Sequence, residues 1–120
     1  MDQKPTFTIE RAEEYLTEDK EQLCKPEEDV VAYRVCKNAY HAIAYFLGSY
    51  LHQSAVSFDE SASVEELLKR CQQVDARFHD LKLDTVYQPT ENEHIWMDVK
   101  TAVGFVELAE ETRQVFVTVQ

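Results

Sequence analysis

Arg34 and His41 stand seven positions apart in YRVCKNAYHAIAYFLGSYL, residues 33–51. If that stretch is helical, two turns separate them and they share a face. The pair has a chemistry. An imidazole that titrates near neutrality can move a proton, and a guanidinium can hold a phosphate through two parallel hydrogen bonds. Lys37, Asn38, Tyr45, Ser49 and His52 recur with them at three- and four-residue steps. Together they form one polar stripe with cations and no carboxylate beyond the expected first turn. Two readings stand side by side. The stripe is the solvent face of a core helix, or it receives an anion or a partner surface. In a chain with 23 acids against 12 bases, a solvent face without acids is unusual.

Other constellations offer less. Glu91 and His94 have the Glu-x-x-His spacing of a di-iron bundle, but the second copy that such a site requires is missing from the sequence. Asp75 and His79 lie one turn apart and read as a surface i,i+4 contact. Two glycines, Gly48 and Gly104, cannot build a phosphate-cradling loop, and there is no Gly-x-Ser-x-Gly elbow. Cys36 and Cys71 fall on core positions, Cys24 lies near a loop, and no Cys-x-x-Cys pair exists. Neither a metal nor a cofactor is expected from these patterns.

Length and charge limit the remaining classes. A chain of 120 residues reads as a single domain, residues 1–120, able to bury its own core. No apolar run approaches the roughly 20 residues of a membrane span, and the first residues are polar and acidic rather than an export signal. A cytoplasmic location without membrane contact is the expectation. The net charge of −11 resides in residues 1–29 and 84–120, while residues 30–83 hold six acids and six bases. Such an acidic skin repels nucleic-acid backbones at long range.

Four amphipathic helices position these groups, at about residues 8–24, 26–52, 63–83 and 90–117. The first places Ile9, Ala12, Tyr15, Leu16 and Leu23 to one side, with acids elsewhere. Pro26 suits the first turn of the second, followed by Glu27, Glu28 and Asp29 at the positive end of its dipole. Ala32, Cys36, Ala39, Ile43, Phe46 and Tyr50 form its seam, widened by Val35, Tyr40, Leu47 and Leu51. SAVSFDESAS is the longest loop. Ser63 with Glu66, and Thr90 with Glu93, read as capping boxes opening the third and fourth helices. Val64, Leu67, Leu68, Cys71, Val74, Phe78 and Leu81 are the third seam; Ile95, Val99, Ala102, Val106 and Ala109 are the fourth. Short connections imply an all-α, antiparallel up-and-down four-helix bundle.

The segment VAYRVCKNAYHAIAYFLGSYL resembles the second helix of HEPN (higher eukaryotes and prokaryotes nucleotide-binding) domains. Ala39-Tyr40-His41-Ala42 stands where that family carries an Ala-Tyr-Tyr-Ala-type patch, followed by Ala44, Tyr45 and Phe46. SVEELLKRC and VYQPTENEHIWMDVKTAVGFVELAEETRQVF are similar to its later helices. The resemblance implies a helical bundle, commonly a homodimer, here expected through helices two and three. It also implies two branches of function. One consists of metal-independent ribonucleases with an Arg-x4–6-His motif, met here by Arg34 and His41. The other binds nucleotides or partners, often a small nucleotidyltransferase, and is the branch an acidic stand-alone bundle suits better. Under that reading Arg34, Lys37, Asn38 and His41 contact a phosphate or partner, and Tyr45 stacks on a base or fills a dimer interface. A plain interaction protein without a small-molecule ligand is the third reading.

Overall fold

A computed structural model describes residues 7–59, 61–81 and 98–119, and all regular structure among them is helical. Helix α1 spans Ile9–Leu23, α2 Ala32–Gln53, α3 Val64–Val74 and α4 Val99–Val119. Two 3₁₀ turns, Glu27–Asp29 and Ala76–Asp80, lie before α2 and after α3. No helix among the described residues is long and apolar enough to cross a membrane.

Local chemistry sets most of these limits. Thr8 Oγ1 accepts the Arg11 N–H at 3.3 Å, and Ser63 Oγ accepts the Glu66 N–H at 3.2 Å; each satisfies a backbone donor left open at a helix start. The C-terminus of α2 closes differently. The N–H of Val56 bonds to Leu51 O, that of Ala55 to His52 O, and Ala55 takes φ 57° between them. This is a Schellman cap with alanine in the left-handed position that glycine ordinarily fills. The second capping box, Thr90 with Glu93, and the seam residue Ile95 lie outside the described residues.

Two helix limits differ from the sequence expectation. Pro26 precedes the 3₁₀ turn rather than opening α2, and Val30–Val31 run extended before α2 begins at Ala32. β-Branched residues in succession lose rotamer freedom in a helix, which favours the break. The third helix ends at Val74 because the Asp75 carboxylate accepts the Arg77 backbone N–H and two of its guanidinium hydrogens, capping a separate turn. Asp75 therefore serves Arg77, not His79. The C-terminal VFVTV is helical to Val119.

α2 is the centre, packing against α1, α3 and α4. Fourteen of its 22 residues are buried, so only Arg34, Lys37, His52 and Gln53 are left fully open to solvent along it. All six seam positions named above are buried, and the core extends through Phe78, Phe105, Leu108 and Phe116. Both Cys36 and Cys71 are inside, where burial pushes each thiol up to about 12.

The directions of the four described helices follow from their contacts. Pairs along α1 and α2 (Glu18 with Asn38, Tyr15 with His41, Phe7 with Ser49) run in opposite order, so these two are antiparallel. Tyr40 Oη meets the Val64 N–H and Leu47 O meets Cys71 Sγ, so α3 runs in the same sense as α2. Cys36 feels the charge of Asp98 while Phe46 and Tyr50 contact Phe116, which gives α4 that sense as well. Among the described helices, then, α2, α3 and α4 share one sense and α1 runs against them, which is not the alternation expected from short connections. Residues 54–63, ten in number between the caps of α2 and α3, can reach roughly 33 Å when extended, enough to carry the chain back along α2.

Candidate functional site: the cleft between α1 and α2

The polar stripe of α2 divides: Asn38, His41, Tyr45 and Ser49 turn towards α1, while Arg34, Lys37 and His52 are exposed. Ser49 is buried and donates to Phe7 O at 3.1 Å. Asn38 is buried and donates to Glu18 Oε2 at 3.3 Å. His41 is half-buried with its ring stacked on Tyr15, centroids 5.4 Å apart at 28°, and Tyr45 meets Tyr15 edge-on. Phe7 closes this aromatic row against Tyr45 at 5.0 Å. Burial lowers the His41 pKa below 6.5, and the neighbouring Lys37 charge lowers it further. Both effects disfavour the protonated imidazole.

Arg34 belongs to different surroundings. It shares a face with His41, displaced by about 10 Å along the axis, and remains exposed. With Asn38 it lines one wall of a cleft of about 180 Å³; Glu18, Glu21, Gln22 and Lys25 form the other wall. Lys37 is exposed on the next turn. So Arg34 and Asn38 meet at the cleft, Lys37 is not among its lining residues, and His41 and Tyr45 are drawn into the aromatic contact with Tyr15.

Beside that cleft lies the residue that the sequence reading passed over. Asp19 has no solvent exposure, and neither of its carboxylate oxygens has a hydrogen-bond partner among the described residues. Gln22 Oε1, one turn further, is likewise buried and unpartnered there. Desolvation raises the Asp19 pKa from 3.8 to about 7. The Asn38 amide lies close enough to oppose that rise, although its well-formed hydrogen bond goes to Glu18; the Glu18 charge adds to the rise and Arg34 opposes it. The signal was present in the spacing. Ala12, Leu16, Asp19 and Leu23 step by four, three and four, so Asp19 occupies a seam position of α1. An isolated acid on a seam reads as a fault in the pattern unless it is taken as a site.

The nearest cations are committed elsewhere or sit at the rim. Lys20 pairs with Glu110, Arg11 with Glu14, and Arg113 with Glu13. Among the described residues no group of three or more His, Cys, Asp and Glu side chains could hold a metal ion; Glu91 and His94 lie outside them. The cleft can therefore do two things chemically. Its rim offers both signs of charge to a polar surface, and its buried oxygens accept hydrogen bonds. A proton can also be taken up or released by Asp19 near neutrality.

No family model matches this chain, and neither a curated protein nor a solved structure does.

Proposed function

We propose that this chain is a non-catalytic, HEPN-like binding module whose recognition surface is the α1–α2 cleft, and that its ligand is a protein partner with a basic contact surface. The observation that carries this reading is the separation of Arg34 from His41. Arg34 stands at an open cleft with Glu18 and Glu21, while His41 is half-buried and stacked on Tyr15. A ribonuclease of the Arg-x4–6-His kind needs both groups at one phosphate. The exposed cation Arg34 shares its cleft with Glu18 and Glu21, which weakens any free phosphate site there. Acidic α1 and a net charge of −11 favour encounter with a basic partner.

Affinity purification from the native host tests the reading directly. A partner should be retained by the wild-type chain and lost from the double variant Glu18→Arg, Glu21→Arg. Labelled RNA incubated with the protein in a chelator should remain intact. Cleavage abolished by both His41→Ala and Arg34→Ala would establish the nuclease instead. Stabilisation by a nucleotide that grows with its concentration and disappears in Arg34→Ala would establish a nucleotide site.

A further inference from the structure

α1 is the least anchored of the four described helices. Three of its 15 residues are buried, Ala12, Leu16 and Asp19, whereas the 11-residue α3 buries four and α4 seven. One of those three is a carboxylic acid with no solvent exposure. The other ties are light. Glu13 with Arg113 and Lys20 with Glu110 join α1 to α4 at the surface, where ion pairs hold little. Just before α1, the Phe7 ring is buried and its carbonyl accepts the Ser49 hydroxyl. Residues 24–31 lead from α1 to α2 through one 3₁₀ turn, Glu27–Asp29, and two extended valines, and all but the half-buried Val30 are exposed. Such a connection can pivot without breaking either helix.

The groups around Asp19 do little to hold its charge. On α1, Glu18 adds negative charge beside it, and Lys20 is paired with Glu110 of α4. From α2 come Asn38, Arg34 and the Cys36 thiol. The Asn38 amide favours the ionised form but also donates to Glu18, and Arg34 is exposed. Asp98, just before α4, adds a further negative charge near Cys36. Further along the same interface, burial and the Lys37 charge disfavour protonated His41. Among the described residues no cation forms an ion pair with Asp19. Ionisation in the docked helix therefore strands a charge away from water, and release of the helix rehydrates it.

We propose that α1 is a proton-operated latch: with Asp19 protonated it docks on α2, and with Asp19 ionised it swings away about residues 24–31. The latch also governs the cleft of about 180 Å³, whose walls are Glu18, Glu21, Gln22 and Lys25 on one side and Arg34 and Asn38 on the other. That cleft exists only while α1 is docked. The inference goes beyond the partner reading and does not rest on it; a partner seated across both walls would favour the same docked state as the proton does.

Native-state hydrogen exchange of wild type and Asp19→Asn, between about pH 5 and about pH 8 and corrected for the intrinsic pH dependence of exchange, tests this. A released helix of 15 residues is marginal alone, so its amides lose protection. Those in the middle of α1 should be less protected, and less sensitive to urea, than those of Ile43, Leu47 and Phe105, because they exchange through an opening smaller than global unfolding. Docked, the carboxyl titrates at about 7 against an ordinary 3.8. α1 protection in wild type relative to Asp19→Asn should therefore fall by nearly tenfold per pH unit up to about pH 7 and then level; His41 is common to both proteins and cancels. The Asp19 carboxyl carbon, followed by NMR in wild type, should titrate where α1 protection levels. Equal protection and equal urea sensitivity in α1 and the α2 core would overturn the latch, since α1 would then open only with the whole domain. The same pH dependence in wild type and Asp19→Asn, or a carboxyl midpoint near its ordinary value, would overturn it too. None of these results bears on partner capture, which the Glu18→Arg, Glu21→Arg variant scores separately.

Discussion

Replacing Asp19 by Asn should stabilise the protein at neutral pH, and the gain should depend on pH in a defined way. The carboxyl titrates at about 7 in the folded chain against an ordinary 3.8, a displacement equivalent to about 4 kcal/mol at roughly 1.4 kcal/mol per pH unit. The sign follows from proton counting. Below about pH 4 both folded and unfolded states hold the proton, and Asp19 costs nothing. Between about 4 and 7 the unfolded chain releases it first, so folding stability falls as pH rises. Above about 7 the full penalty is present. Asparagine carries no such charge, and its amide can donate to Gln22 Oε1. Urea unfolding of wild type and Asp19→Asn at several pH values isolates the effect, because the other carboxylates act on both proteins alike. About 2 kcal/mol of the divergence should fall between about pH 5.5 and about pH 8, above the sequence isoelectric point of about 4.7. Arg34→Ala removes a charge that opposes the rise, so its stability should fall further across the same interval. Parallel wild-type and Asp19→Asn curves would refute the argument, since they would mean that Asp19 is solvated or paired in the folded state.

Four further outcomes test other parts of the structure. Ala55→Gly should stabilise by about 1 kcal/mol by relieving the left-handed backbone at the α2 cap, measurable as a higher urea midpoint with an unchanged slope. Gly48→Ala should destabilise by about 1–3 kcal/mol despite the better helix propensity of alanine, because the added Cβ would lie 2.6 Å from Phe7 Cγ; Phe7 should then become accessible to limited proteolysis. The His41 ring should titrate below 6.5 by proton NMR and move upward in Tyr15→Ala and in Lys37→Ala, which lessen its burial and its cationic neighbour respectively. An aromatic disulfide reagent should modify Cys24 at once and Cys36 and Cys71 only on unfolding, since the latter two are buried with thiols raised to about 12.

Most of the helical framework was legible because it depends on period and caps. The α2 seam is recovered residue for residue, and Thr8 and Ser63 stand at helix starts. What escaped were relations between helices. Direction is not written in periodicity: a loop of ten residues permits either a hairpin or a crossover, and the choice is made by which seams fit. The polar stripe on α2 escaped for the same reason. Its own pattern marks it as hydrophilic, yet Tyr15 of α1 and Phe7 just before it cover its middle, where Ser49 and Asn38 find partners. Pattern reading assigns polar residues to water and apolar ones to the core, so it places Asn38 and Ser49 outside and sees Asp19 as one acid among many.

These two oversights are linked. A helix pair joined only by apolar seams would gain stability by exchanging Asp19 for leucine and Asn38 for alanine, since buried polar groups are tolerated in proportion to how fully they are satisfied. Asn38 is satisfied and helps to fix the register of α1 on α2. Asp19 and Gln22 are not, and the cost falls where a cleft of about 180 Å³ opens between the same helices. A stabilising substitution at position 19 is easy to find, so the carboxylate there is a cost that the packing of α1 on α2 does not itself offset. Of the α2 cations that first drew attention, Arg34 lines that cleft, where its charge opposes the rise in the Asp19 pKa.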